Sequence, residues 1–279
     1  MVAFGLKKSM VDIHQQETVN AEQIDTISIS TSSADIEVLP VAGDDIGVFL
    51  DGKMSENLAE KYEFKILQQA NRLDISFKSN NQSVSFHFGI NISISDVKLK
   101  VTLPEKNYED IQTGTSSGDI RINKLASKSL TSTSSSGSQT ISGLKIENRL
   151  FVKTSSGDII ANGNDAGKAM LRASSGEIKL RGFVCNDVRL DASSGDIFYH
   201  NDTISGNLEC KASSGDVDIH VDELPESISL ECRANSGDVN VRVDGLEFKE
   251  RSDHRASASR GTGESSINAR TSSGDIKVN

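Results

Sequence analysis

The 279-residue chain has no tryptophan, only three prolines and an aromatic fraction of 5%. Because so few of its side chains are large, it cannot easily build one thick globular core. Many thin apolar layers are a better way to bury its valines and isoleucines. The composition therefore predicts a repeated architecture rather than a single compact core.

Long apolar runs are missing as well. The first twenty residues hold no run long enough for a signal peptide, and no stretch approaches eighteen consecutive apolar residues. The sequence thus predicts no transmembrane segment and shows no export signal, so a cytoplasmic location stays open. A net charge of -10 argues against nucleic acid as a partner, because phosphates require a basic surface.

A Ser-Ser-Gly-Asp motif recurs along the chain at a nearly fixed interval. Successive motif glycines are 19, 20, 19, 19, 20, 22 and 37 residues apart. A degenerate copy, Ser-Ser-Ala-Asp, places Ala34 at the glycine position. A short fixed period is typical of one coil of a solenoid. The motif glycines are Gly118, Gly137, Gly157, Gly176, Gly195, Gly215, Gly237 and Gly274.

Apolar and small residues alternate on both sides of each glycine. They stand seven, five and three residues before it and two and four residues after it, as in Val188, Leu190, Ala192, Ile197 and Tyr199 around Gly195. Period-two alternation is typical of strands with one buried face, and the change of phase at the glycine indicates a corner. Each repeat is therefore interpreted as strand, corner, strand and returning loop.

The fold class predicted is all-β: a parallel β-helix-like solenoid with about 19–20 residues per coil, right-handed by default for parallel crossovers. We expect an N-terminal extension at 1–23, and a less regular β region with one degenerate coil at 24–110. Solenoid repeats are expected at 111–279, with an excursion loop at about 244–266. Alternating stretches at 64–67, 72–79, 84–95 and 97–104 predict longer strands, in part antiparallel.

The runs DTISISTSSADIEVLP and VKLKVTLPEKNYEDIQTGTSSGDI, with the later SSGDI copies, resemble the bacterial putative-adhesin family. The resemblance covers about residues 20–279. It implies a parallel β-helix-like fold and a cell-surface or extracytoplasmic location, since some members of the family are linked to cell-envelope stress responses.

The residue after each motif glycine is usually acidic, which predicts a ladder of carboxylates at coil spacing. Asp196, Asp216 and Asp238 are the calcium candidates in this ladder. Calcium requires six to eight oxygens, whereas Asp and Ser commonly accept backbone N–H bonds in turns. The sequence therefore favours a structural role, in which each Asp bonds within its own corner, and no bound metal.

Two histidines occupy the same position in neighbouring repeats, five residues after the glycine. His200 and His220 should stack on an outward face, with Arg181 and Arg242 beside them in the same file. These four residues are the candidates for binding an anionic ligand, although a solvated face is the simpler interpretation. The file itself contains no carboxylate, and guanidinium groups on both sides would repel a metal ion.

No catalytic or cofactor motif is present: there is no nucleophile elbow, P-loop, C-x-x-C or H-E-x-x-H. The sequence predicts a non-enzymatic binding or scaffold module, with an envelope component or another protein as its partner. A cytoplasmic or membrane-associated regulatory scaffold of an envelope-stress system is the first alternative. A carbohydrate-active enzyme on a β-helix is the second, although few aromatic rings are available for stacking on sugars.

Two further expectations follow from placing the repeats in sequence order. The final repeat, from Ile267 to Val278, would form an uncovered end of the solenoid, and its free edge would allow self-association. Cys210 and Cys232 would lie in adjacent coils, about 4.8 Å apart, with parallel side chains unsuited to a disulfide. Together with Cys185 they are predicted to be buried free thiols.

Overall fold

Two long β-sheets, joined by the corners of the repeats, run through the whole structure. The structure is a computed structural model that describes residues 9–80 and 94–279. The N-terminal elements are β1 (Met10–Asn20), β2 (Thr26–Thr31), β3 (Asp35–Val41), β4 (Asp45–Ser55), α1 (Glu56–Ala59), β5 (Tyr62–Gln69), β6 (Arg72–Ser79) and β7 (Ile94–Pro104). Residues 84–93, where the sequence also predicts a strand, lie outside the described residues.

The repeat region supplies the remaining strands. They are β8 (Asn107–Thr115), β9 (Ile120–Asn123), β10 (Ala126–Ser134), β11 (Gln139–Ser142), β12 (Lys145–Thr154), β13 (Ile159–Asn162), β14 (Asp165–Ala173), β15 (Ile178–Arg181), β16 (Val184–Cys185), β17 (Asp187–Ala192), β18 (Ile197–Asn201), β19 (Asn207–Lys211), β20 (Val217–Val221), β21 (Ile228–Ala234), β22 (Val239–Val241), β23 (Glu247–Ser252), β24 (Arg255–Arg260), β25 (Ser265–Thr271) and β26 (Ile276–Val278).

Each coil sends the strand before its glycine into a fourteen-stranded sheet and the strand after it into a twelve-stranded sheet. We call the twelve-stranded sheet the first sheet and the other the second sheet. Neighbouring coils pair in parallel through equivalent residues, such as Leu130 with Leu150 and Ile178 with Ile197. The predicted all-β solenoid is confirmed.

The core lies between the two sheets, at the positions that the alternation predicts. Leu190, Ile197 and Ile219 have no exposed surface. The outward neighbours Arg189 and Asp191 are only partly buried. Burial of each large aliphatic side chain contributes about 1.5–3 kcal/mol, so one thin layer per coil, repeated many times, replaces a thick core.

Glycine is required at the corners because adjacent coils approach each other there through their backbones. A Cβ on Gly137 would overlap the carbonyl oxygen of Gly118, and one on Gly176 would overlap that of Gly157. The degenerate coil, formed by β2 and β3, stacks directly on the Gly118 coil, with Ala34 in the corresponding place.

The N-terminal region extends both sheets beyond this degenerate coil, largely by antiparallel pairing. In the first sheet β4 lies between β1 and β7 and is antiparallel to both. In the second sheet β6 pairs with β2, and β5 completes a hairpin at the edge. Residues 10–20, which the sequence assigns to an extension, thus form the edge strand of the first sheet.

The order of the last two coils differs from their order in the sequence. β25 lies between β19 and β21, and β26 lies between β20 and β22. The coil around Gly274 is therefore inserted between those around Gly215 and Gly237. The expectation that this coil forms a free, self-associating end is wrong, because both of its strands are paired on both sides.

The same insertion corrects the expected contact between two cysteines. Ala269 pairs with Cys210 on one side and with Cys232 on the other, so a whole strand separates the two thiols. All three cysteines are nevertheless buried and free, as predicted.

The interval 244–266 contains a β-hairpin where the sequence predicts an excursion loop. β23 and β24 pair with each other, and β24 continues the second sheet by antiparallel pairing with β21. The hairpin also reaches the edge of the first sheet, where Val239 donates its backbone N–H to Asp253 over 2.7 Å. The hairpin thereby covers the Gly237 coil, which is the last coil of the stack. Throughout the part of the chain that is described, no helix has the length and apolar character to cross a membrane.

Candidate functional site

The acidic ladder proves to be a set of bonds between coils. Asp119 Oδ1 accepts the backbone N–H of Ser138 over 3.0 Å, and Asp158 Oδ1 accepts that of Glu177 over 2.9 Å. The expectation that each carboxylate bonds within its own corner is wrong, because the parallel stacking brings the next corner's N–H closer. These bonds support the favoured structural role of the ladder.

The three calcium candidates take part in the same ladder. Asp196 Oδ1 accepts the N–H of Asp216, and Asp216 Oδ1 accepts that of Asp275, each over 2.8 Å. Asp275 Oδ1 in turn accepts the N–H of Asp238 over 2.9 Å. Asp238 is therefore not adjacent to Asp216. One carboxylate oxygen of Asp196, of Asp216 and of Asp275 is already engaged by a backbone donor.

The outward histidines lie together, as their spacing predicts. Cα pairing places Arg181 next to His200 and His200 next to His220. The two imidazole rings meet edge to face, with their centroids 4.7 Å apart. Arg242 does not flank them, because Asn279 of the inserted coil bonds to Ile219 and Val221 at that place in the file.

A carboxylate that the sequence analysis missed completes this group. Asp222 Oδ1 lies 3.1 Å from Nε2 of His220 and 3.4 Å from Nε2 of His200. Asp222 comes two residues after His220, so the same alternation that places the histidines outward could have revealed it. We call His200, His220 and Asp222 the histidine–aspartate cluster.

Buried neighbours hold the backbone of this cluster in place. His220 stands between Ile219 and Val221, and both of these side chains are buried. Next to His200, the buried side chain of Asn201 accepts the N–H of Phe183 over 2.6 Å and donates to the Phe183 carbonyl over 2.7 Å. The backbone of the cluster is thus anchored to the buried layer of the coils, although its own side chains are about half exposed.

A shallow depression of about 450 Å³ lies beside the cluster on the outer face of the first sheet. Phe198 lies in it with 36% of its surface exposed, and the ammonium of Lys179 is 5.5 Å from the centre of that ring. We call it the central depression; it is lined by Ile160, Asn162, Lys179, Leu180, Arg181, Phe198, Tyr199, His200, Asp218 and His220.

The two cations of the central depression differ in their surroundings. The hydrogen bond that Lys179 donates to the Glu177 carboxylate raises the pKa of Lys179, so this lysine stays charged but is partly neutralised by its partner. Arg181 is exposed, and within the described ranges 9–80 and 94–279 its guanidinium has no ion-pair partner. Arg181 is therefore the cation that is available to an anion.

A second hollow, of about 410 Å³, lies where loops and strands of the second sheet meet, and Lys145, Glu147, Asp165 and Cys185 line it. Its charged groups have mixed sign. Burial raises the pKa of the Cys185 thiol, which keeps it protonated and makes it a poor nucleophile. This hollow is accordingly a weaker candidate for a functional site than the central depression.

Comparison with known proteins now identifies the family. The profile of the Toastrack DUF4097 family matches residues 24–279. The chain belongs to the Toastrack DUF4097 family. Among curated proteins, none matches it.

Similar solved structures include proteins of Parabacteroides distasonis and Bacteroides fragilis. A protein of Parabacteroides distasonis, described as a putative lipid binding protein, is 16% identical; the match covers 95% of this chain and 96% of that one, with a TM-score of 0.56. A putative adhesin from Bacteroides fragilis is 14% identical over 98% of both chains, with a TM-score of 0.48. At this identity the first similarity establishes a shared fold.

Proposed function

We propose that this Toastrack protein is a non-enzymatic binding module of the cell envelope, and that its central depression binds an anionic polymer. The observation that supports it is the guanidinium of Arg181, which has no ion-pair partner among the described residues and lies beside the exposed ring of Phe198, on a protein whose net charge is -10. A local cation on an acidic surface attracts negative groups to one place, while the rest of the surface repels them.

The shape of the protein supports a polymer as ligand. The outward side chains of adjacent coils are spaced at about 4.8 Å along a straight file, so an extended chain can contact several coils at once. Contacts that are weak singly become strong when they are linked along one ligand. The shallow form of the central depression also suits a passing chain better than an enclosed small molecule.

The envelope location rests on the family resemblance, and the non-enzymatic character rests on the kind of groups present. Catalysis requires a nucleophile or an acid–base pair positioned around a reacting atom. In the described part of the central depression, the acidic group Asp218 and the basic groups are arranged along an open face. Such an arrangement suits ionic contacts with a ligand more than bond cleavage.

Binding to dextran sulfate, with neutral dextran as the matched polymer, tests this proposal. We expect binding to dextran sulfate alone, weakening steeply with added salt because exposed charges are screened. Arg181→Gln should weaken binding about tenfold, which corresponds to about 1.4 kcal/mol. Arg242→Gln is the control, because Arg242 occupies the same position in its coil but lies outside the central depression.

Four results would contradict the proposal. Equal binding of dextran and dextran sulfate would show that the ligand need not be anionic. Equal losses of affinity in the two arginine variants would show that the central depression is not the binding site. Release of new reducing ends from a bound glycan would favour the carbohydrate-active enzyme. Recovery of the protein only from the cytoplasm on cell fractionation would favour the regulatory scaffold.

A further inference from the structure

We propose that the histidine–aspartate cluster binds a divalent transition metal ion, of which Zn²⁺ is the best fit. It is the one group of three or more His, Cys, Asp or Glu donors within metal-binding reach among the described residues. Its donor atoms, two imidazole nitrogens and one carboxylate oxygen, all lie within 4.8 Å of one another. This inference goes beyond the proposed polymer binding and does not depend on it.

The distances agree with those of a tetrahedral zinc site. Zinc binds imidazole nitrogen and carboxylate oxygen at about 2.0–2.2 Å, so two ligands of a tetrahedral ion are about 3.3 Å apart. Asp222 Oδ1 lies 3.1 Å from His220 Nε2 and 3.4 Å from His200 Nε2. Two of the three distances between donor atoms thus already match a tetrahedral zinc site, and the third, between the two imidazoles, is no more than 4.8 Å.

The chemistry of the donors selects the metal. Two histidines and one carboxylate are a common zinc set, whereas calcium and magnesium prefer oxygen ligands alone. Three protein ligands leave one coordination position of zinc for water or for an external anion. The carboxylate of Asp222 also offsets part of the ion's charge, which two imidazoles alone would not do.

The positive charge of Arg181 should have opposite effects on the binding of zinc and of an anionic polymer. Its Cα pairs with that of His200, so its positive charge opposes a cation at the cluster. Exposed like charges one strand apart repel each other modestly. We therefore expect Arg181→Gln to strengthen Zn²⁺ binding about two- to threefold, although the same variant should weaken binding to dextran sulfate.

Calorimetric titration of the full chain with Zn²⁺ tests the site. We expect one ion per chain and a rise in Tm on adding zinc, because a ligand that binds the folded state stabilises it. His220→Gln and Asp222→Asn should each lower the affinity at least tenfold and make the rise in Tm smaller at the same zinc concentration. Both side chains are about half exposed, so the variants are expected to fold.

The chain provides a matched control in a second pair of His and Asp. His14 Nδ1 lies 2.5 Å from Asp51 Oδ1, but no second histidine joins this pair within the described residues. His14→Gln should leave zinc binding unchanged. X-ray absorption of the zinc-loaded protein should show two imidazole ligands in the wild type and one in His220→Gln.

Several results would overturn the assignment. These are the absence of saturable zinc binding, an affinity equal for calcium and zinc, or an affinity that neither His200→Gln nor His220→Gln changes. A loss of binding in His14→Gln alone would move the site to the other pair. Failure of dextran sulfate to bind would leave the metal site intact, so the two proposals can fail separately.

Discussion

The regular coils, from Gly118 to Gly215, and the two displaced coils, around Gly237 and Gly274, follow the same repeat but are assembled differently. In the regular coils each repeat lies beside the one before it in the sequence. In the displaced pair the later repeat is inserted before the earlier one. The difference shows that the repeat determines which residues face inward but does not determine which coil is the neighbour.

Substitution of a corner glycine is the strongest way to test whether both parts are equally close-packed. Gly137→Val and Gly274→Val should each reduce the free energy of unfolding by about 3 kcal/mol or more, because a Cβ meets a backbone carbonyl that cannot withdraw. Urea denaturation measures the loss.

Gly163→Ala provides the control for these two variants. A Cβ at Gly163 would meet no atom within 4 Å, so only its positive φ of 58° opposes the change. We expect a loss of about 1 kcal/mol. A loss at Gly274 no larger than that at Gly163 would contradict the close stacking of the last coil on its neighbour.

Truncation of inward residues distinguishes the inserted order of the last two coils from their sequence order, because an interior strand loses more stability than an edge strand. Ile276→Ala should cost about 3 kcal/mol, because Ile276 is fully buried between two strands. Val239→Ala should cost about 1 kcal/mol, because Val239 belongs to the edge strand and is only partly buried. Thermal unfolding of both variants, with Ile197→Ala as the interior control, measures the difference; the reverse ranking would restore the sequence order.

The pH dependence of stability tests burial in both parts, because Cys210 belongs to a regular coil and Cys232 to a displaced one. Burial raises the pKa of Cys232 from 9.0 to about 12, and it raises that of Cys210 as well. Above pH 9 the unfolded thiols ionise while the folded ones keep their protons, so stability is complete below pH 9 and falls toward pH 12. Each such thiol contributes about 1.4 kcal/mol per pH unit to the fall.

Cys232→Ala should make this alkaline fall shallower, as measured by urea denaturation between pH 8 and pH 11. Tyr199, whose pKa burial also raises, adds a fall of the same sign that the variant retains. An unchanged pH profile would show that the covering hairpin leaves Cys232 open to water. Thiol titration of the denatured, unreduced protein should find all three cysteines.

The smallest effect concerns a single bond at the junction between the two parts. Asp216 Oδ1 accepts the N–H of Asp275, so Asp216→Ala should cost about 1 kcal/mol. Hydrogen exchange should show faster exchange at the amide of Asp275 and little change at that of Asp238. Faster exchange at Asp238 alone would mean that the coils follow sequence order.

The sequence predicted the fold where local patterns are sufficient. Alternation around Gly195 correctly assigned Leu190 and Ile197 to the core and Arg189 to the surface, because the direction of a side chain depends only on its place in a strand. The position of β26 between β20 and β22 could not be predicted in this way. It depends on which of two similar coils packs better against the Gly215 coil, and their apolar patterns are nearly the same.

The candidate site was likewise predictable where it depends on the repeat within the regular coils, and not where it depends on the order of the coils. His200 and His220 were found because they share one position in adjacent regular coils. Arg242 was wrongly placed beside them because its coil is one of the displaced pair. Asp222 is in phase with the same alternation but was missed because it lies one residue beyond the end of β20.

The inserted coil also sets an order of events during synthesis. The ribosome completes the Gly237 coil before it makes residues 265–278. Until those residues arrive, this coil can pair with the hairpin of β23 and β24 but has no strand that joins it to the rest of the solenoid. The earlier coils can fold one after another onto their predecessors as they emerge. The last part cannot: the Gly237 coil and its hairpin must wait apart from the solenoid, or pair first with the Gly215 coil and then exchange. We expect folding of the nascent chain to proceed smoothly to the Gly215 coil, pause there, and finish in a single concerted step.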